Sequence, residues 1–534
     1  MTSKELKDRL WDAANALRGS VSAAQYKYPV LGLVFLKYIS DTFEAQGDVI
    51  RGKLADPASD IFIDDDTLRE ESAAMFVEDK TFYESDNVFW VPEEARFQKL
   101  LDYSAQPDLP QKLDEAMRMI EKENTTLTGV LYRNYGRLEL EAGKLGELMG
   151  IVAQLKFDPR NHGSRDVFGE VYEYFLGKFA RMEGQRAGEF YTPKCVVETL
   201  VEVLAPFRGK IYDPACGSGG MFVQSAKFME AHAGTLGKKG DLAIYGQELM
   251  AETRKLCKMN LAIHGLEGNI GKTYASTFTN DQHPTLRADF LLANPPFNIS
   301  NWGGEKLEED PRWAYGIPPK GNANFAWLQH MLARLSHKGR AGVVLANGSM
   351  SSQQSGEGAI REGMIKDDVV ECMVALPGQL FSTAAIPVCL WFLSKDKKPG
   401  INGKADRSGQ ILFIDCRQMG TLIPGSRIQK ELSEEEIQKI AQTYHRWRET
   451  DFSDGEDYQD EAGFCASVDL VGVEKHGFVL TPGRYVGANG IEADSVPFEE
   501  KMTELSSRLY VQMKETSMLD DVIRKNMEVL GYGE

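Results

Sequence analysis

The chain lacks what would place it in a membrane or an oxidising compartment. No apolar run in its 534 residues approaches the roughly 18 that a membrane-spanning helix needs. Its seven cysteines are odd in number and scattered, with no C-x-x-C, so reduced thiols in a cytosol are expected rather than a disulfide framework. The eight histidines form no H-x-x-x-H or H-E-x-x-H pair, and no metal site is expected. The first residues, "MTSKELKDRLWDAANALRG", are amphipathic and charged, unlike a secretory signal. Positive charge is also scarce: 61 Lys and Arg face 79 Asp and Glu, a net charge of -18. Phosphate binding needs a basic surface, so a chain this acidic does not grip nucleic acid by itself. If nucleic acid is the substrate, a basic patch must be local or a partner must do most of the holding. Repeats and low-complexity tracts are missing as well.

What is present is an ordinary hydrophobic content of 42%, in a chain long enough for two or three cores. Up to about Gly150 the pattern is helical. "LKDRLWDAANALRG" and "VLGLVFLKYISDTFEAQ" carry apolar residues at three and four spacing. The acidic stretch from Asp56 to Asp86 reads as a solvated loop and helix face. Another amphipathic helix is expected to open near Ser164 or Asp166. After Arg186 short apolar strands alternate with helices. The strand candidates are Lys210–Asp213, Ala243–Gln247, Asp289–Ala293, Ala341–Ala346, Val369–Leu376 and Val388–Leu393. Helices are expected at "AETRKLCKMNLAIHG" and "NFAWLQHMLARLSHKG". Such alternation predicts an α/β domain with a mostly parallel, doubly wound sheet. From Pro497 onward one more helix is expected, with Phe498, Met502, Leu505, Leu509, Thr516, Leu519 and Ile523 roughly along one stripe. The expected organisation is an N-terminal helical domain over 1–155, a catalytic domain over 156–490 and a C-terminal helix within 491–534.

Two local patterns carry chemistry. "KIYDPACGSGGMFVQSA" places a strand, then Asp213, then Gly217, Gly219 and Gly220, then a helix. Ligands of open parallel sheets bind past the carboxyl ends of strands, where glycines let the backbone come close. The turn has no G-K-[ST] ending and is not a phosphate loop. The next strand ends on Glu248, placed to accept hydrogen bonds from ribose hydroxyls. It lies about 35 residues after Asp213, against roughly 20 in dinucleotide folds, so a nucleoside cofactor is favoured over a dinucleotide. The second pattern is "LLANPPFNIS". Proline donates no backbone hydrogen bond, so a buried strand stops at Asn294 on a rigid corner of Pro295, Pro296 and Phe297.

"DPACGSGG" followed by "NPPF" resembles the amino-methyltransferases that use S-adenosylmethionine. That resemblance implies a Rossmann-like methyltransferase fold. It implies that the turn (Asp213, Ala215, Gly217, Ser218, Gly219, Gly220) holds the methionine part of the cofactor and Glu248 its ribose. The corner Asn294, Pro295, Pro296 and Phe297 would hold the target amine. An exocyclic adenine amine is a poor nucleophile because its lone pair is conjugated into the ring. Acceptors at the Asn294 side-chain oxygen and the Pro295 carbonyl would draw the nitrogen toward tetrahedral geometry, and Phe297 would stack on a base turned out of the duplex. "GEFYTPKCVVETLV" is similar to the segment that closes over the cofactor in adenine methyltransferases, which adds Glu189, Phe190, Tyr191, Thr192, Pro193 and Lys194 to the cofactor site. With "SAAQYKYPVLGLVFLKYISD" and "NANFAWLQHML", the chain resembles the modification (M) subunit of type I restriction–modification systems. The family implies a cytoplasmic DNA adenine-N6 methyltransferase acting on double-stranded DNA. It implies a specificity (S) subunit, a second M subunit and restriction (R) subunits as partners.

Some expectations stay open. An acidic residue that holds the cofactor's adenine is not found at the expected place; Ser276 stands near it, and Asp281 is a possible substitute. The long loop from Asn298 to Ala323 reads as a lid that orders when DNA enters. Two rival functions share parts of the pattern. A protein-glutamine N5 methyltransferase would use the same corner, but those enzymes are shorter and more often end it on tyrosine. A non-catalytic assembly subunit would not need Asp213, Glu248, Asn294 and Phe297 intact.

Overall fold

The computed structural model describes residues 11, 23–86, 88–138, 142–155, 172, 174–179, 192–233, 240–381, 387–423, 426, 429–487 and 498–530. The helix expected near Ser164 lies outside them. Two compact units result, Met1–Val486 and Gly487–Glu534.

The larger unit begins with helices. Helix α1 (Ala23–Ala55) is buried without interruption from Leu33 to Leu36, a full turn, so it is covered all round there. Helix α2 (Leu109–Glu123) buries Leu113, Ala116, Met117 and Ile120, the three-and-four spacing of an amphipathic helix. This helical core does not end at its own helices. It continues into Leu256, Met259 and Ile263, which belong to the helix that follows Glu248. The Tyr38 hydroxyl donates to the Ile263 carbonyl at 3.0 Å and seals the junction.

A nine-stranded sheet forms the rest of this unit. Its strands are β1 (Arg208–Asp213), β2 (Asp241–Gly246), β3 (Gly268–Asn269), β4 (Ala288–Ala293), β5 (Leu335–Ala346), β6 (Val370–Ala375), β7 (Val388–Ser394), β8 (Gln410–Asp415) and β11 (Cys465–Asp469). Their spatial order is β11-β8-β6-β7-β5-β4-β1-β2-β3. Pairing is parallel except where β7 runs against β5 and β6, and β11 against β8. A separate two-stranded sheet pairs β9 (Thr421–Leu422) with β10 (Lys430–Glu431). Strands β6 and β7 are buried at every position, as expected for a sheet covered on both faces.

The order places the site. From β1 the chain moves outward through β2 and β3, then returns to β4 on the other side of β1. The carboxyl ends of β1 and β4 therefore flank the point where the winding reverses, which is where open α/β sheets bind ligands. Asp213 ends β1 and Asn294 follows the end of β4.

Two expectations need correction. The helix at Asn324 stops at Arg334, and the following "LSHKG" is strand. Leu335 pairs with Ala288 of β4, and a Cβ on Gly339 would stand 2.6 Å from the Ala288 carbonyl oxygen, so strand pairing overrides the helical pattern. Strands β3, β8, β9, β10 and β11 were not anticipated.

Candidate active site

The glycine turn is fastened to the end of β2. The Gln247 N–H donates to the Asp213 carbonyl at 3.0 Å, and the Cys216 N–H donates to the Gln247 carbonyl at 3.0 Å. The Asp213 side chain is 2% exposed and accepts the Ala215 N–H at 2.9 Å. Glu248 spans the turn from the other side. One of its oxygens accepts the Gly217 N–H at 3.0 Å and the other the Met250 N–H at 2.9 Å. Burial pushes the Asp213 carboxyl up to about 8, opposed by the Ala215 N–H and assisted by the Glu248 charge.

Gly217 and Gly219 have φ of 52° and 82°, the left-handed region that favours glycine. They serve different ends. A Cβ on Gly219 would meet the Cys257 sulfur at 3.0 Å, whereas one on Gly217 would meet nothing within 4 Å. Gly219 thus keeps the turn against the helix α4 (Ala251–Ile263), and Gly217, like Gly220, faces open space.

The corner after β4 meets this turn. The Asn294 side-chain Nδ2 donates to the Thr192 Oγ1 at 2.8 Å, and its Oδ1 is buried without a hydrogen-bond partner. Asn294, Thr192, Lys194, Asp213, Ala215, Gly217, Ser218 and Gly220 line one small cavity. Asn294, Ala215, Gly217 and Ser218 also line a second cavity of about 780 Å³, whose walls include Glu248, Ser276, Pro296, Phe297, Trp302 and Lys27. Phe297 stands edge-on to Phe381, with ring centroids 6.1 Å apart. Pro295 is buried beneath the corner, and Pro193 caps the helix α3 (Lys194–Leu204). Glu189, Phe190 and Tyr191 lie outside the described residues.

The wall between β3 and β4 settles where Asp281 points. Asp281 pairs with Arg334 and accepts the His283 N–H, and it is not on the cavity wall. Ser276, Thr277, Phe278 and Thr279 are on it. Two residues that escaped the sequence reading hold this wall. Gln247, fully buried, donates to the carbonyls of Ala275 at 3.1 Å and Asn280 at 2.9 Å. Arg312 donates to the carbonyls of Thr277 at 3.1 Å and Phe278 at 2.6 Å, with Asp310 as its counter-charge. Arg312 belongs to the loop expected to be a lid. That loop is packed instead: Trp302 and Trp313 are buried, and their ring N–H groups donate to the carbonyls of Pro319 and Leu307. Two tryptophans and an arginine in one loop were the available signal, since each needs burial or a partner to be ordered. Among the described residues no group of acidic, histidine or cysteine side chains could hold a metal, and no helix is long and apolar enough to cross a membrane.

Sheet order, glycine turn and switch-point cavity define the class: a Rossmann-like α/β methyltransferase. Comparison with known proteins narrows it. The N-6 DNA Methylase family matches residues 163–494, and the HsdM N-terminal domain matches residues 6–149. The type I restriction enzyme HindI methylase subunit of Haemophilus influenzae is 47% identical over 427 residues, covering 79% of this chain and 92% of that protein. The MjaIX methylase subunit of Methanocaldococcus jannaschii is 36% identical over 535 residues, covering 99% of this chain and 92% of that one. The crystal structure of a type I methyltransferase subunit from Streptococcus thermophilus shares the fold, with a TM-score of 0.71 at 22% identity over 91% of this chain and all of that one. The chain belongs to the N-6 DNA methylase family, among the methylase subunits of type I restriction enzymes. It is an adenine-specific DNA methyltransferase.

Proposed function

We propose that the chain transfers a methyl group from S-adenosylmethionine to the N6 amine of an adenine turned out of double-stranded DNA, at a sequence chosen by a separate S subunit. One observation carries the chemical part. The Asn294 Oδ1 is a buried, unpartnered acceptor, and Asn294 stands where the small cavity and the large one share a wall. An orphan acceptor in a buried place costs free energy unless a ligand completes it, and an amine N–H is its natural partner.

The residues present fit the cofactor. S-adenosylmethionine supplies an electrophilic methyl group on a sulfonium centre. Asp213 and the turn Ala215–Gly220 would hold its methionine part, Gly217 leaving room, and Glu248 would accept from the ribose. Ser276 to Thr279 would face its adenine. Asn294 Oδ1 and the Pro295 carbonyl would accept from the target amine, so that its lone pair is freed for attack. Pro295 and Pro296 would hold these acceptors still, since a corner that cannot bend needs no reorganisation during the reaction. Phe297 would offer a ring to the base.

The assembly part rests on charge. A chain of net charge -18 needs a partner to place it on DNA. We take the domain division as 1–155, 156–490 and 491–534, with the C-terminal helix as the arm that meets the S subunit. A second M subunit would complete the methyltransferase, and R subunits would join it. Incorporation of tritiated methyl groups into DNA, with and without the S subunit, tests the whole reading. Incorporation with both subunits supports it. No incorporation into DNA despite cofactor binding would leave only an assembly role.

Two expected results follow from the cofactor site. Glu248→Ala should raise the cofactor dissociation constant about tenfold or more, the loss typical of charge-assisted hydrogen bonds. Calorimetry checks this, and unchanged binding would remove Glu248 from the ribose site. The second result concerns pH. In the free protein the Asp213 carboxyl titrates at about 8, so below that pH it is protonated and neutral. A cationic ligand beside it favours the ionised form, and binding then expels the proton. Affinity should therefore climb as pH rises toward 8 and level off above it. Asp213→Asn should flatten that climb, and proton release should disappear from calorimetry run in buffers of different ionisation enthalpy. A slope that survives Asp213→Asn unaltered would assign it to another group.

A further inference from the structure

We infer that Thr192 is a positioning residue for Asn294: its hydroxyl oxygen locks the carboxamide so that Oδ1, not Nδ2, faces the target amine. The inference rests on the proposed role of Asn294 and goes beyond the expectation that Thr192 serves the cofactor.

A carboxamide has two ends of nearly equal size and opposite hydrogen-bonding sense. Turned by half a revolution, Asn294 would present two N–H donors to an adenine amine that itself donates. Donor would then face donor, and the lone pair would gain nothing. The β4 strand fixes the backbone of Asn294 but not this rotation, because the terminal torsion of Asn is broad and roughly two-fold. Something must choose between the two ends. In the structure Thr192, 102 residues away in the chain, takes the acceptor's part: its Oγ1 accepts the Nδ2 at 2.8 Å, whereas a turned amide would require the hydroxyl to rotate and donate to Oδ1. With Nδ2 committed, Oδ1 is the end left buried and unpaired.

Thr192 is itself held firmly. The residue before a proline is disfavoured in the helical region, which restricts the backbone of Thr192 ahead of Pro193. Pro193 caps α3, and α3 buries Cys195, Val196, Val197, Thr199, Leu200 and Val201. The acceptor thus stands immediately before the N-cap of a packed helix. Thr192 also lines the small cavity with Asp213 and Gly217, so the residue that orients the amine acceptor touches the space proposed for the cofactor.

Thr192→Val keeps the shape and removes the acceptor. Measured in the complex with the S subunit, single-turnover methyl transfer should fall about ten- to a hundredfold, because the productive orientation would then leave the buried Nδ2 donor without an acceptor. The cofactor dissociation constant should stay within about twofold, and fluorescence of 2-aminopurine at the target position should be unchanged, since base capture does not use this contact. Thr192→Ser, which restores the hydroxyl, should recover most of the rate. In the Asn294→Ala background Thr192→Val should cost nothing further, because the group it orients is gone. Should the valine variant fail to fold, Thr192→Ala is measured in its place. Normal transfer by a folded variant without the hydroxyl overturns the inference. So does a rise in the cofactor dissociation constant large enough to explain the loss, which would return Thr192 to the cofactor alone. Near-normal transfer by Asn294→Ala would be a different failure, that of the proposed corner itself.

Discussion

Asn294→Ala is expected to bind cofactor normally and to transfer methyl groups about a hundred- to a thousandfold more slowly, the loss seen when one preorganised polar group aimed at a transition state is removed. The reason is where the interaction is made. In the ground state the adenine amine is planar and its lone pair is committed to the ring, so an acceptor near its N–H bonds gains little. As the nitrogen turns tetrahedral its N–H bonds become more acidic, and the same acceptor gains more. An interaction that strengthens along the reaction lowers the barrier, and its removal shows in the rate rather than in binding. The fold makes the acceptor effective. Asn294 follows the end of a central strand, two prolines come next, and its Oδ1 is shielded from water. Rapid-quench measurement with saturating cofactor and DNA isolates the step. A variant turning over near the normal rate would take Asn294 out of the chemistry.

Ending the chain after Val486 is expected to leave cofactor binding intact and to abolish both co-purification with the S subunit and DNA methylation. Every residue assigned to the cofactor lies upstream, and Met1–Val486 forms a compact unit without the helix. That helix, α5 (Phe498–Val529), described by itself, exposes Met502, Leu505, Leu509, Leu519 and Ile523, and also Tyr510, Val511, Met513 and Met518. Burying such a side chain contributes roughly 1.5–3 kcal/mol, so a partner that covered several of them would be held firmly. Pull-down with the S subunit and filter binding of cofactor separate the two effects. A truncated chain that unfolds or loses cofactor would place the helix in this chain's own core, and the assembly proposal would fall.

Much of this was legible because the signals are local. Asp213 and the glycines form a turn whatever surrounds them, since glycine admits the left-handed φ at Gly217 and Gly219. Two prolines stop a strand at Asn294 in any context. The apolar runs that became β1, β2, β4, β5 and β6 are short and separated by helices, so alternation alone indicated an α/β sheet, and β7 follows β6 directly. Strand β8 and its partner β11 were missed because their place is decided by pairing: β8 runs beside β6, and β11 beside β8. Strand propensity is a weak guide where pairing across distance decides. The tail of the Asn324 helix was lost to β5 for the same reason.

By itself the sequence determined the chemical vocabulary of the site: a glycine turn, a carboxylate after the next strand, a rigid amide corner, and an acidic net charge. Only the tertiary structure decided how these words are joined. It turned Asp281 toward Arg334 and away from the cavity, packed the loop after the corner under Trp302 and Trp313, and gave Gly219 to Cys257. It also brought Thr192 to Asn294. Each of these outcomes depends on groups that the local pattern does not pair meeting within hydrogen-bonding or van der Waals range. Local pattern holds the backbone's preferences, whereas such meetings are set by how the whole sheet winds and what its helices bury.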